Sequence, residues 1–243
     1  MVNTEHEWIR SLQLSSIPLR QLDGSSMPIG FASGCLIDYL GKRLILSVFH
    51  ATGRDTTWAI PIKFERSKGT EIYWPRLFNY VGEMTLGVPE IKEVDFSFAE
   101  VANDLVSYFQ ELTMRGEILF EAPRKIFAPS FDVMPSKDET YGFSGETMHE
   151  MHGSHTLATE HLICPGLKYV ETKNGYHVFK LPVDHPGHKY LKGCSGAPII
   201  DTKDNIVALV CRGDISENTI TGVSLNKYKF ALDVTYSGLL KVK

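Results

Sequence analysis

From Gly30 onward the sequence breaks into short runs of β-branched and aromatic residues separated by turn residues, and this texture constrains the fold more than any other feature. The first cluster holds Cys35 to Tyr39, Arg43 to Phe49, Thr57 to Phe64 and Glu71 to Trp74, with Leu40-Gly41-Lys42 joining two of them as a hairpin. A second cluster begins near Ile126 and continues through Glu139 to Phe143, His161 to Cys164, Tyr176 to Leu181, Ala197 to Ile200, Ile206 to Cys211 and Lys229 to Val234. Many short strands of this kind predict an all-β sandwich or barrel. Between the clusters, Leu105, Val106, Phe109 and Leu112 are spaced to cover one helical face, with Asn103 or Asp104 as cap, which predicts a short helix between two lobes.

The division expected from this pattern is an arm over residues 1–28, a first β lobe over 29–125 and a second over 126–243. The arm mixes a short helix, Glu5 to Leu12, with a polar turn at Asp23-Gly24-Ser25-Ser26. In 243 residues, 43% hydrophobic and 22% charged, there is enough apolar material for a substantial core and no polar tract that reads as disordered. A net charge of −4 supplies no global positive field, so neither nucleic acid nor an anionic membrane is implied as a partner. Met1-Val2-Asn3-Thr4-Glu5-His6-Glu7 carries acids where a signal peptide needs basic residues, and the expected location is cytoplasmic. Accordingly Cys35, Cys164, Cys194 and Cys211 are read as free thiols, not as disulfides.

Three segments together carry the chemistry of acyl transfer, which needs a hydroxyl, a neutral imidazole to activate it, a carboxylate to orient the imidazole and two N–H donors for the oxyanion. Gly193-Cys194-Ser195-Gly196 places a serine in a tight turn where the N–H groups of Gly193 and Ser195 can converge. Leu44 to Phe49 is an apolar strand that ends in His50. Asp95 sits among apolar residues in Glu93 to Ala99, where a carboxylate must find a donor such as His50.

The order His50, Asp95, Ser195, at intervals of 45 and 100 residues, resembles the trypsin/chymotrypsin family of serine proteases, most nearly bacterial members made without a propeptide. Ser33-Gly34-Cys35-Leu36-Ile37 followed by Leu46 to Ala51 resembles the hairpin leading to the histidine, and Asp95-Phe96-Ser97-Phe98 resembles the acid motif. Tyr141-Gly142-Phe143-Ser144-Gly145 is similar to the start of the second barrel, and Gly193 to Ile199 to the nucleophile motif. The resemblance spans about residues 29–238. It implies two six-stranded antiparallel β-barrels with the site between them, a serine endopeptidase without cofactor or metal, a polypeptide substrate, and an activity that falls as the imidazole is protonated.

The chain departs from the family pattern at Val48 and Phe49, which replace small residues before the histidine, and at Cys194, which replaces the acid that pairs with a freed N-terminus in cleavage-activated members. Cys211 stands where many members carry a serine beside the buried acid. A catalytically silent peptide-binding module, or one switched on by a protein partner, is therefore the alternative reading. By analogy the specificity pocket would be floored by Lys189 and walled by Cys211, Arg212 and Gly213, two cations that would suit an acidic side chain before the scissile bond.

Competing sites fit less well. An α/β-hydrolase needs a second glycine where Ala197 stands and a histidine after Ser195, whereas the last is His188. Cys194 lies out of the attacking register. His149, His152 and His155, with His161 and Cys164, could bind zinc, but a polar loop bordering the cleft is the preferred reading. His185-Pro186-Gly187-His188 reads as a turn.

Overall fold

Strands buried on both faces need apolar residues at consecutive positions, and the runs around Cys35 and Leu44 have them. A computed structural model describes residues 3–53, 57–84, 87, 91–113, 115–153 and 156–237. Chain order begins with α1 (Asn3–Ser15), β1 (Ile17–Leu22), β2 (Pro28–Tyr39), β3 (Lys42–Ser47), α2 (Phe49–Thr52), β4 (Trp58–Glu65), β5 (Gly69–Tyr73), β6 (Asn79–Met84) and β7 (Ile91–Val101). These strands form an antiparallel sheet in the order β5-β4-β1-β2-β3-β7-β6. A ribbon of β8 (Tyr108–Leu112) and β9 (Ile118–Pro123) follows, and β10 (Ile126–Phe127) pairs in parallel with β2.

The second lobe is a closed barrel, β11-β12-β13-β16-β15-β14, built from β11 (Tyr141–His152), β12 (Thr156–Lys173), β13 (Tyr176–Lys180), β14 (Pro198–Asp201), β15 (Ile206–Asp214) and β16 (Thr219–Ser224). A short 3-10 turn, His188–Leu191, precedes the Gly193 segment, and α3 (Leu225–Tyr236) closes the described chain. Each lobe has its own core, Leu19, Leu36, Ile45 and Trp58 in the first and Phe143, Phe179, Ile199 and Val207 in the second. A third core lies between them, where Ile37, Leu46 and Phe96 meet Ile200, Leu209 and Leu232. Alternate residues of β2 and β3 therefore face the inter-lobe core (Cys35, Ile37, Leu44, Leu46) and the first-lobe core (Leu36, Ile45), which explains the consecutive apolar residues in each.

Four expectations need correction. The first lobe has seven antiparallel strands plus β10, not six. No helix covers 101–112: Leu105 is buried in the first-lobe core, and Phe109 sits beneath the β8–β9 ribbon against Phe120 and His161. Residues 229–234 are helical, because Leu225, Tyr228 and Leu232 share a buried face and Ser224 Oγ accepts from the Lys227 N–H as N-cap. Residues 17–22 of the arm are a strand of the first sheet, while α1 packs on the second lobe through buried Leu12, with Trp8 Nε1–H donating to Asp201 C=O at 2.9 Å. Among the described residues no helix is long and apolar enough to cross a membrane.

Candidate active site

His50 is placed by the end of β3. Ser47 is the last ladder residue, Val48 is extended and fully buried in the inter-lobe core, and α2 is a single turn whose Thr52 N–H and Oγ1–H both donate to Val48 C=O. Thr52 Oγ1 also pairs with Ser97 Oγ at 2.8 Å, tying this turn to β7. The bulk of Phe49 is absorbed outside the core by Tyr80, with ring centroids 5.0 Å apart.

Asp95 on β7 accepts twice from one residue, from the His50 backbone N–H at Oδ1 and from His50 Nδ1 at Oδ2, both at 2.8 Å. The other ring nitrogen, Nε2, lies 3.0 Å from Ser195 Oγ. With Nδ1–H donating to the carboxylate, Nε2 is left as the lone-pair atom facing the hydroxyl. Burial alone would raise the Asp95 carboxyl, but the two His50 hydrogen bonds, the imidazole charge and the Cys211 thiol outweigh it and hold the group below its ordinary value. Cys211 has one proton to share between Asp95 and the Leu209 carbonyl at 3.4 Å, and the charged acceptor is the stronger. The Tyr176 hydroxyl engages the Asp95 backbone from the second lobe.

The serine turn is held on both sides. Leu191-Lys192-Gly193-Cys194 is closed by Cys194 N–H to Leu191 C=O at 3.0 Å, with Lys192 at φ −62, ψ 122 and Gly193 at φ 104. These angles are those of a type II turn, whose third position requires positive φ and so favours glycine. Gly196, at φ 89, donates to Val210 C=O at 2.8 Å, and a Cβ there would overlap the Ser33 carbonyl and Ser47 Oγ. Among the described residues neither the Gly193 N–H nor the Ser195 N–H has a protein acceptor. Two adjacent donors are thus free beside the hydroxyl.

Cys194 is fully buried and its thiol is pushed up to about 12 by burial, then by Cys164, which suits a packing residue and not a nucleophile. Lys189 and Arg212 are both exposed. The side chain that meets the Gly213 wall is His185: its Nδ1 accepts from the Gly187 N–H at 3.0 Å and its Nε2 lies where a Cβ on Gly213 would fall. In the sequence His185 belongs to the turn His185-Pro186-Gly187-His188, and only the fold brings it to Gly213.

His149 and His152 lie on β11, not in a loop, and His155 is outside the described residues. His149 stacks on Phe31 with ring centroids 3.8 Å apart and sits against Gly193. Behind it is a buried group that no local motif announced. Arg20 from β1 reaches Glu146 at 3.1 Å, and Arg124 reaches it at 3.6 Å while donating to Ser16 C=O at 2.6 Å. Burial raises the Glu146 carboxyl, but the charges of Arg20 and Arg124 outweigh it and keep it low. No cluster of three or more His, Cys, Asp or Glu suited to a metal occurs among the described residues.

No protein-family profile and no curated protein matches this sequence. Solved structures do match in shape. A serine endoprotease from Yersinia pestis aligns at a TM-score of 0.56 and 10% identity, covering 96% of this chain and 66% of that one. A scabies mite inactivated protease paralogue aligns at 0.56 and 11%, covering 99% and 96%, and mouse neuropsin, a serine protease, at 0.57 and 12%, covering 93% and 95%. At such identities the likeness concerns the fold, which here hosts both proteases and an inactivated paralogue. The chain has the double-β fold of the trypsin/chymotrypsin-like serine proteases.

Proposed function

We propose that the protein is a serine endopeptidase that cleaves polypeptides through an acyl-enzyme intermediate on Ser195. The observation that carries the reading is the unbroken line from Asp95 Oδ2 through His50 to Ser195 Oγ, at 2.8 and 3.0 Å. Nε2 takes the Ser195 proton as Oγ attacks the scissile carbonyl, and the imidazolium, steadied by the ionised Asp95, then protonates the leaving amine. The oxyanion falls to the free N–H groups of Gly193 and Ser195. Water repeats the cycle with the acyl group as its target.

An extended substrate has a strand edge to pair with. Pairing from the β14 side ends at Val210, whose C=O accepts from the Gly196 N–H and whose N–H donates to Ala197 C=O, so among the described residues the outer edge of β15 is open from Cys211 onward. Backbone pairing there would give affinity without demanding a sequence. Labelling by a fluorophosphonate probe and hydrolysis of casein test the proposal directly. Both should be present in the purified chain and absent from Ser195→Ala. Labelling that persists in that variant, or casein left intact by a folded wild-type chain, refutes it.

A further inference from the structure

We propose that Ser33 is a positioning residue for the oxyanion turn, an assignment that rests on the protease reading above. Ser33 lies on β2, is fully buried, and has every polar group committed. Its Oγ–H donates to Gly193 C=O at 2.8 Å, its N–H donates to Ser195 C=O at 2.8 Å, and its own carbonyl accepts from Ser47 Oγ at 2.7 Å. One residue of the first lobe therefore grips two carbonyls of the second-lobe turn.

The two gripped peptides, Gly193–Cys194 and Ser195–Gly196, bracket the Cys194–Ser195 peptide that carries the Ser195 N–H. That donor is held from both sides. The Gly193 N–H lies one peptide further out, in the type II turn whose far end is the gripped Gly193–Cys194 peptide, itself bonded through Cys194 N–H to Leu191 C=O at 3.0 Å. Displacing the turn breaks a buried hydrogen bond and leaves a carbonyl or a hydroxyl unsatisfied.

Ser47, which holds the Ser33 carbonyl, is the last residue of β3, three positions before His50. Base and oxyanion donors are thus referenced to the same pair of strands, although Ser195 belongs to the other lobe. Cys194 supplies no charge to order the turn, since burial keeps its thiol protonated. Ser33 takes that task with neutral groups already present in the folded chain. The turn is accordingly set on folding, with neither a liberated N-terminus nor a protein partner.

The test compares the full-length wild type with Ser33→Ala and Ser33→Cys, using p-nitrophenyl acetate hydrolysis and the second-order rate of fluorophosphonate labelling. Wild type should be active without proteolysis or added protein. Ser33→Ala should lose about 10- to 100-fold in kcat and in labelling rate with KM changed less than about threefold, because the lost interaction serves the oxyanion and not ground-state binding. Its pH profile should match wild type, since the His50–Asp95 pair is untouched. Ser33→Cys, which retains a weak donor, should recover part of the rate, and it carries the comparison if the alanine variant fails to fold. A kcat within threefold of wild type in Ser33→Ala, a loss that appears mainly in KM, a shifted pH profile, or a wild type active only with a partner each overturns the assignment. A wild type that neither labels nor hydrolyses refutes the protease reading itself, whereas an active wild type with an unimpaired Ser33→Ala refutes this one alone.

Discussion

Acidification should unfold this protein through three histidines other than His50. Burial pushes His149, His161 and His177 each down to about 4, from an ordinary 6.5. His177 is fully buried, with Nδ1 on Thr172 Oγ1 at 2.7 Å and, among the described residues, no hydrogen-bond partner for Nε2. His161 has Arg124 as a neighbouring cation, and His149 has Arg20 and Lys192, against which the Glu146 charge works in the opposite sense at both. Between pH 6.5 and 4 the unfolded chain binds protons at these positions that the folded chain refuses, so stability falls as pH falls through that window. At about 1.36 kcal/mol per pH unit, a window of about 2.5 pH units is worth at most about 3.4 kcal/mol per histidine. Halving this for partial exposure at His149 and His161 leaves roughly 5–7 kcal/mol for the three, comparable with the whole stability of a typical domain. Urea denaturation at pH 7.5, 6.5, 5.5 and 4.5 reads the effect as a falling free energy of unfolding, and His177→Phe should flatten the curve by roughly half. A free energy that stays level from pH 6.5 to 4.5, or imidazole resonances of these residues that titrate near 6.5, refutes the reasoning.

Asp95→Asn should leave the fold intact but lower kcat about 10³- to 10⁴-fold, because an amide can stabilise the wrong imidazole tautomer and cannot balance imidazolium; ester hydrolysis measures it. Gly196→Ala puts a Cβ into Ser33 and Ser47 at a positive φ, so a loss of about 3 kcal/mol or more in unfolding free energy is expected, together with activity. Cys211→Ser exchanges a weak donor to Asp95 for a stronger one and should keep kcat within about threefold while moving the acid limb of the pH–rate profile no higher than wild type.

The residues of the Asp95–His50–Ser195 hydrogen-bonded line are legible because each is marked locally: a histidine ending an apolar strand, an acid among apolar residues, a serine in a glycine-flanked turn. The turn needed glycine at 193 and 196 for backbone reasons that no other residue satisfies, and such constraints survive in the sequence. Helix α3 was missed because Lys229 to Val234 alternates well enough for a strand, and the deciding spacing, Leu225, Tyr228, Leu232, begins before that run. The helix expected over 101–112 fails for the converse reason. Leu105 and Phe109 have helical spacing but are drawn into different packing environments, one in the first-lobe core and one under the ribbon. Ser33 opens the motif Ser33 to Ile37, but nothing local marks its hold on the serine turn. Its importance comes from contacts with residues 193 and 195, 160 and more positions away, and the Arg20–Glu146–Arg124 group is illegible for the same reason.

Residues 3–22 belong to both lobes, since β1 completes the first sheet whereas Trp8, Ser11 and Leu12 of α1 are bound to Asp201, Asp204 and Ser144. This segment is synthesised before the residues of the second lobe on which its helix docks. Strands β1 to β7 can assemble while translation continues, but α1 must wait until residue 204 has left the exit tunnel. Helix α1 therefore fastens only after the second lobe has been made, and a fragment ending before residue 141 would carry His50 and Asp95 with α1 undocked.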